Sequence, residues 1–372
     1  MKMNMDQYLR DRFSRQLLLP EFNRESQERL SSSKVLVVGA GGLGCPVLMY
    51  LAAAGIVNLD VADGDKVEIS NLHRQVLFGM NDTGRNKAVV ASEMIRSRFP
   101  EIKSRAIPMM INQTNALDLF KPYDLIIDGT DNFQSRYLIN DACVLLKKPL
   151  LYGAVNGFEG QLALFHPGSD INGVCYRDLF SVPPPEGSVY NCNGNGVLGT
   201  VPGITGVMMA NEAIKFLAGL KVTPGRLLVF NSLNMVFHEI EITRDHAKRQ
   251  PANPMAFMAY DYHTFCGVSA DIMEVTFEEL SNWWQHDPQE MCIIDVRERQ
   301  EISNPLMPGI INRPASEWDL SLEGIETKQR VILLCQSGVR SNRLGIQLKK
   351  LHPELKVYSL KGGVSGLKIS MV

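Results

Sequence analysis

The sequence has no stretch near the roughly 18 uninterrupted apolar residues that a membrane span needs. Its opening, MKMNMDQYLRDRFSRQ, is charged throughout and lacks the apolar core of a secretory leader. Neither sign of charge is in excess. With 38 Lys and Arg against 40 Asp and Glu, the net charge is −2, which gives no general attraction to nucleic acid or to anionic lipid. The cysteines number seven, an odd and scattered set that argues against a disulfide framework and for a reducing compartment. Internal repeats and low-complexity tracts are missing. So is G-x-x-x-x-G-K-[ST], which excludes a P-loop. These absences predict a cytoplasmic globular protein with no membrane and no nucleic-acid partner. Its 372 residues exceed one ordinary core and suit two domains.

What is present is an alternation of strand and helix patterns. KVLVVG (34–39), NLDVAD (58–63), DLIIDGTD (124–131) and PLLYGAV (149–155) are short apolar runs of strand length. Helical spacing lies between them, up to residue 54, over 86–99 and over 133–148. This order predicts a parallel sheet covered on both faces. EGQLALF (159–165), RLLVFN (226–231) and VFHEIEI (236–242) read as further strands, antiparallel to one another. SVPPPEGSVYNCNGNGVLG (181–199) is rich in proline and glycine and predicts a long functional loop, followed by a helix over 206–219. RDHAKRQPANPM (244–255) reads as a connector. A second, smaller α/β pattern begins near Glu274. It has strands at 292–296, 331–335 and 356–360 and helices at 277–284 and about 337–350.

The first strand runs into GAGGLG (39–44), where Gly39, Gly41, Gly42 and Gly44 allow a tight turn and close approach of a phosphate to a helix N-terminus. Asp63, which closes the second strand, is placed to reach ribose hydroxyls. This fingerprint alone would suggest NAD. The polar and charged set beyond it suggests a triphosphate with a magnesium ion instead: Asn71, Arg74 and Gln75 in SNLHRQ, Lys87 in GRNK, Asp131 in GTDN and Arg15 in RFSRQ. Hydride transfer needs no such concentration of charge, whereas phosphate displacement needs cations on the phosphates and a carboxylate on the metal.

In this order, RFSRQ, VVGAGGLG, DGDKVEISNLHRQ, GRNKA and DGTDN resemble the MoeB/ThiF family of ubiquitin-activating-enzyme-like adenylyltransferases, over roughly residues 8–267. The resemblance implies a Rossmann-like ATP-binding domain with a mixed sheet. It implies a homodimer that uses magnesium ATP to adenylylate the C-terminal glycine of a ubiquitin-like sulfur carrier ending in Gly-Gly. It assigns ribose to Asp63, phosphates to Asn71, Arg74 and Lys87, and magnesium and the reacting phosphate to Asp131. Arg15 is similar to the arginine that reaches into the partner subunit's site. Cys192, in NCNGNG, resembles the loop cysteine that takes up the acyl group or resolves a disulfide, although Asn193, Gly194 and Asn195 follow where an acidic residue is common. Relatives carry two C-x-x-C pairs on a structural zinc. Here Cys175-Tyr-Arg-Asp178 and His263-Thr-Phe-Cys266 stand in their places. Either an Asp/His/Cys₂ zinc site survives, or packing and hydrogen bonds replace it.

Near the other end, C-Q-S-G-V-R (335–340) follows a buried strand and opens a helix. Backbone N–H groups, the helix dipole and Arg340 would favour thiolate over thiol at Cys335, and the same cup can hold an anion. Cysteine phosphatases resemble C-x₅-R. The four residues between Cys335 and Arg340 resemble the smaller cup of the rhodanese sulfurtransferases, as do IIDVRERQE (293–301), PGIINRP (308–314) and LKGGV (360–364). That family resemblance makes Asp295 and Arg297 structural. The chain departs from it at Met307, where a histidine is common, and in lacking a tryptophan after the glycine pair.

The expected organisation is an adenylyltransferase domain over 1–267, a linker over 268–273 and a small α/β rhodanese-like domain over 274–372. The expected activity is carrier adenylylation followed by sulfur transfer from a Cys335 persulfide, of molybdopterin or thiamine biosynthesis type. The sulfur would come from a cysteine desulfurase or from thiosulfate. Three other readings stand beside it: an adenylyltransferase whose rhodanese domain only binds, a relative that adenylates a carboxylate on transfer RNA, and an NAD oxidoreductase.

Overall fold

The computed structural model describes residues 11–167, 173–184, 196–245, 251–266, 272–302, 309–322, 330–352 and 354–365, the side chains of His263, Thr264 and Lys350 excepted. The chain divides into two compact units, Met1–Cys266 and Gly267–Val372.

In the first unit eight strands form one sheet: β1 (Lys34–Val38), β2 (Asn58–Ala62), β3 (Ala106–Ile107), β4 (Leu125–Asp128), β5 (Leu150–Asn156), β6 (Glu159–Phe165), β7 (Arg226–Asn231) and β8 (Val236–Glu241). Their order is β3-β2-β1-β4-β5-β6-β7-β8. β1 to β5 run parallel, and β6, β7 and β8 pair antiparallel. The strands are apolar on both faces because both faces are covered. Val35 and Val37 of β1 join one core cluster, while Leu36 and Val38 join the other. The helices longer than eight residues are α1 (Arg24–Ser32), α2 (Gly44–Ala54), α3 (Lys87–Arg98), α4 (Phe133–Leu146) and α5 (Thr200–Ala218). Asn86 and Asn132 cap α3 and α4, accepting from Val89 N and Ser135 N at 3.1 and 2.9 Å. The helix expected over 206–219 begins six residues earlier. Pro202 falls in its first turn, where a missing N–H costs nothing. β3 is two residues long and had no readable pattern.

The second unit is a five-stranded parallel sheet: β9 (Met273–Val275), β10 (Met291–Asp295), β11 (Ile311–Asn312), β12 (Arg330–Leu334) and β13 (Lys356–Leu360), in the order β11-β10-β12-β13-β9. Alternate residues again part to two clusters. Val331 and Leu333 lie on one face, with α7 (Val339–Leu351) represented by Leu344 and Leu348; Ile332 and Leu334 lie on the other, with α6 (Phe277–His286) represented by Leu280.

Candidate functional site

β1 sits at the point where the strand order of the first sheet reverses, between β2 and β4. Ligands of open α/β sheets bind beyond the carboxyl ends of strands at such a point. An open cleft lies there, lined by the ends of β1, β2 and β4. Its floor is the glycine turn. Gly39 has φ +94°, and a Cβ there would lie 2.9 Å from the Gly129 carbonyl. A Cβ on Gly44 would collide with the Gly39 carbonyl, so this turn admits no other residue at either place. No side chain caps α2 at Leu43; in its first turn Cys45 N donates to the Gly41 carbonyl at 2.9 Å, Val47 N donates to the Leu43 carbonyl at 3.3 Å, and Pro46 has no N–H.

Eight of the residues expected to hold nucleotide line this cavity: Gly39, Gly41, Gly42, Asp63, Arg74, Gln75, Lys87 and Asp131. Asp63 spans the turn, its Oδ2 accepting from Ala40 N at 2.7 Å and its Oδ1 from Asp65 N at 2.8 Å. Burial pushes its carboxyl above the ordinary range, against the pull of Lys87. Each oxygen keeps a second lone pair for a hydroxyl. Lys87 is buried at the start of α3, 3.1 Å from Asp65. Asp131 is exposed at the rim, with no hydrogen-bond partner recorded for its carboxylate among the described residues. Two further residues do other work. Gly44 is packed beneath the turn. Asn71 lies outside the lining: its Oδ1 accepts from Glu68 N at 3.3 Å, and its carbonyl accepts from Arg74 N and Gln75 N at 3.0 and 2.9 Å. Asn71 therefore folds the segment that presents Arg74 and Gln75. Arg15 is exposed and does not line the cavity of its own chain.

The sequence reading missed Arg136. It lies on the first turn of α4, is 9% exposed, and has an Nε without a partner. The Oε1 of Gln75 is also buried without a partner. Orphaned polar atoms in a cavity are what a polar ligand would satisfy. Arg136, Asp131 and Val155 also line a second cavity, with Tyr152, Tyr176, Phe180, Asn156, Glu159 and Gln161. The cleft at the glycine turn and an apolar, amide-rich groove thus share one arginine and one carboxylate. The signal was readable: a cation opens a helix directly after GTDN. Met109, Met110 and Ile111 supply an apolar wall that was also missed.

The four-residue set expected for zinc behaves differently. Asp178 accepts from Cys175 N at 2.7 Å and from Asp245 N at 2.9 Å, so both its oxygens are engaged. Burial, then Asp178, pushes the Cys175 thiol up to about 12; burial pushes that of Cys266 to about 12. Among the described residues no three His, Cys, Asp or Glu side chains gather as a metal site, so Cys175, Asp178 and Cys266 do not converge. The His263 side chain lies outside the described set. Between the two segments runs a buried ion pair instead. Arg177 donates to both oxygens of Asp141 at 2.8 and 2.7 Å, and Tyr262 Oη donates to Asp141 at 2.8 Å. The guanidinium lies against Phe265 and Tyr137, 4.6 and 4.9 Å from the ring centres. The two segments are thus joined, among the described residues, by a fastening that needs no metal.

In the second unit β12 delivers Cys335, fully buried, to the CQSGVR loop, and Gly338 at φ +87° turns the chain into α7. Ser341 N and Ser341 Oγ both donate to Cys335 Sγ at 3.4 Å. Arg340 is turned to the rim, where its two terminal nitrogens donate to Glu301 at 2.6 and 2.6 Å. That bond holds the Glu301 carboxyl below its usual range. Of the expected amide cradle, one N–H, that of Ser341, donates to the sulfur, and a hydroxyl takes the place beside it. Arg297 and Asp295 form a buried pair, their closest approach 2.6 Å. Cys192 and Met307 lie outside the described residues.

Comparison with known proteins agrees with both units. Residues 13–252 match the ThiF family and residues 276–370 the rhodanese-like domain. The chain is 40% identical over 364 residues to the probable adenylyltransferase/sulfurtransferase MoeZ of Mycobacterium tuberculosis, covering 95% of this chain and 91% of that protein. It is 45% identical over 264 residues to the sulfur carrier protein adenylyltransferase of Thermus thermophilus, covering 69% of this chain and 97% of that one. It is 37% identical over 376 residues to the adenylyltransferase and sulfurtransferase MOCS3 of Drosophila ananassae, covering 95% and 82%. Among solved structures, Escherichia coli MccB with ATP shares the fold at a TM-score of 0.53 and 22% identity, over 65% of this chain and 69% of that one. The chain therefore belongs to the ThiF family of adenylyltransferases and carries a rhodanese-like sulfurtransferase domain on the same polypeptide.

Proposed function

We propose that this enzyme adenylylates the C-terminal glycine of a ubiquitin-like sulfur carrier ending in Gly-Gly, and then delivers sulfur to it from a persulfide on Cys335. The observation that carries the reading is the pair of adjoining cavities that share Arg136 and Asp131. One suits ATP, the other an extended glycine-rich tail. The tail carboxylate attacks the α-phosphorus, and the bond to the bridging oxygen breaks as pyrophosphate leaves. Arg74, Lys87 and Arg136 stabilise the charge that develops. Asp131 offers a hard oxygen to magnesium, which when bound would neutralise the phosphates. Arg15 serves the site of a partner subunit in a homodimer.

The acyl-adenylate is then open to attack by the terminal sulfur of Cys335–S–S⁻. AMP leaves and an acyl disulfide forms. The thiolate of Cys192 attacks the Cys335 sulfur of that bond. The carrier departs as a thiocarboxylate and a Cys192–Cys335 disulfide remains, which an external dithiol reduces. A cysteine desulfurase or thiosulfate charges Cys335, in a pathway of molybdopterin or thiamine type and in the cytoplasm.

The test is intact mass spectrometry of a Gly-Gly carrier incubated with enzyme, magnesium ATP and thiosulfate. Replacement of a terminal oxygen by sulfur, lost in Cys335→Ala and in Asp131→Ala, supports the reading. AMP on the carrier without sulfur would make the rhodanese domain a binding module. Sulfur transfer undiminished in Cys335→Ala would remove Cys335 from the path.

A further inference from the structure

Two hydroxyls sit where the sequence pattern calls for apolar side chains. On β13, Val357 and Ser359 face the same side of the sheet, and Val357 joins the cluster that contains Cys335. On α7, Ser341 occupies the stripe continued by Leu344 and Leu348. Ser341 is 0% exposed and Ser359 1%. A hydroxyl buried at a core position must be hydrogen-bonded or it destabilises the fold. Both are bonded, and the chain of bonds ends on the sulfur.

We propose that Ser359 and Ser341 form a two-hydroxyl relay that holds Cys335 as a thiolate. Ser341 donates to the sulfur, and Ser359 is a positioning residue that sets the direction of that donation. The inference rests on the sulfur-transfer role given to Cys335 above.

Each serine has one proton to give. Ser341 Oγ lies 2.8 Å from Ser359 Oγ, 3.1 Å from the Gly338 carbonyl and 3.4 Å from Cys335 Sγ. Ser359 Oγ has the Ser341 oxygen at 2.8 Å and the Gly338 carbonyl only at 3.5 Å. Its proton therefore goes to Ser341. The Gly338 carbonyl already accepts from Asn342 N at 3.1 Å. The Ser341 proton is left a choice between a carbonyl that already accepts one bond and the sulfur. A thiolate wins that choice, because a hydrogen bond to a charged acceptor is the stronger one. A neutral thiol loses it. The relay thus stabilises only the reactive form.

Nearby charges do not make the relay redundant. Arg340 is paired with Glu301, with Glu298 beside it, so its field at the sulfur is partly cancelled. The Asp295–Arg297 pair is neutral within itself, and Lys361, after β13, faces Glu279 on α6.

The experiment is alkylation of Cys335 by iodoacetamide in the full chain, followed by peptide mass mapping across pH. The variants are Ser341→Ala, Ser341→Thr, Ser359→Ala and the double alanine. Ser341→Ala should slow alkylation at neutral pH about tenfold and move the profile alkaline. Ser359→Ala should move it the same way by less, and Ser341→Thr should restore the wild-type profile. The double variant should be no slower than Ser341→Ala alone, because Ser359 acts only through Ser341. A wild-type profile in Ser341→Ala, or additive losses in the double variant, would overturn the relay. Should Ser341→Ala fail to fold by circular dichroism, an unmoved profile in Ser359→Ala does the same. Alkylation reads the thiolate without any carrier, so the relay can fail while sulfur transfer through Cys335 stands, and the Cys335→Ala assay decides the latter separately.

Discussion

Glu301 decides what the loop arginine can do. Bidentate contact at 2.6 and 2.6 Å takes up the fork of Arg340 that an anion would otherwise use. A small dianionic donor such as thiosulfate must compete with that carboxylate, whereas a persulfide carried by a protein thiol need not. Glu301→Gln should therefore lower the KM for thiosulfate several-fold, in assays with cyanide as acceptor, and change kcat little. An unchanged KM would mean that Arg340 is not the anion contact. The same pair fixes a pH dependence. The folded-state pKa of Glu301 is depressed, chiefly by its hydrogen bond to Arg340. Its stabilising contribution is complete above the unfolded carboxylate value of about 4.3 and is lost as pH falls through the lower folded value. Little of this was legible beforehand. C-x₄-R is a local spacing and gave the cup, but Glu301 stands 39 residues from Arg340. Ser341 and Ser359 were open to view as breaks in two periodic patterns. What they break the pattern for shows only once β13 lies beside β12.

The contrast is the same among the elements. Every long strand of the parallel core was readable, because a strand buried on both faces is a continuous apolar run. β3, β9 and β11, of two or three residues, exist through their pairing and left no mark. α5 begins six residues before the helix expected over 206–219, taking in Pro202 and Gly203. A Cβ on Gly206 would meet Pro46 at 2.5 Å and the Leu43 carbonyl at 2.6 Å, so that glycine is there to let α5 approach the start of α2. The glycine turn was legible for the opposite reason, since its geometry is set by neighbours in sequence. The Tyr176–Leu179 helix is joined to α4 by Tyr176 N on Asn140 Oδ1 at 2.8 Å and by the Arg177–Asp141 pair, while Tyr262 brings in the Tyr262–Phe265 turn. Metal analysis of the purified chain should find zinc far below one per chain, and a chelator should leave Tm unchanged. Asp141→Asn, which strands a buried guanidinium, should cost about 3–5 kcal/mol in denaturant unfolding. Stoichiometric zinc, or chelator-sensitive unfolding, would return the metal to this site.

At the scale of the whole molecule, two chemistries share a chain but not a core. Each unit has its own sheet and its own pair of apolar clusters. The Thermus thermophilus relative matches 69% of this chain while being covered over 97% of its own length, so nearly all of that protein corresponds to part of this chain. Activation should then be separable from sulfur delivery. A chain ended after Cys266 should adenylylate the carrier at a rate close to the full enzyme and leave it as the acyl-adenylate. The proposed transfer step gains from the covalent tether, since a short linker raises the local concentration of a partner to roughly millimolar. Residues 267–372, charged with persulfide and added as a separate chain, should restore thiocarboxylate formation only as their concentration approaches that value. Carrier mass against concentration of the added unit gives the answer directly. Saturation in the low micromolar range would mean that the units recognise each other or the carrier by an interface of their own. The tether would then be a convenience of synthesis rather than part of the mechanism.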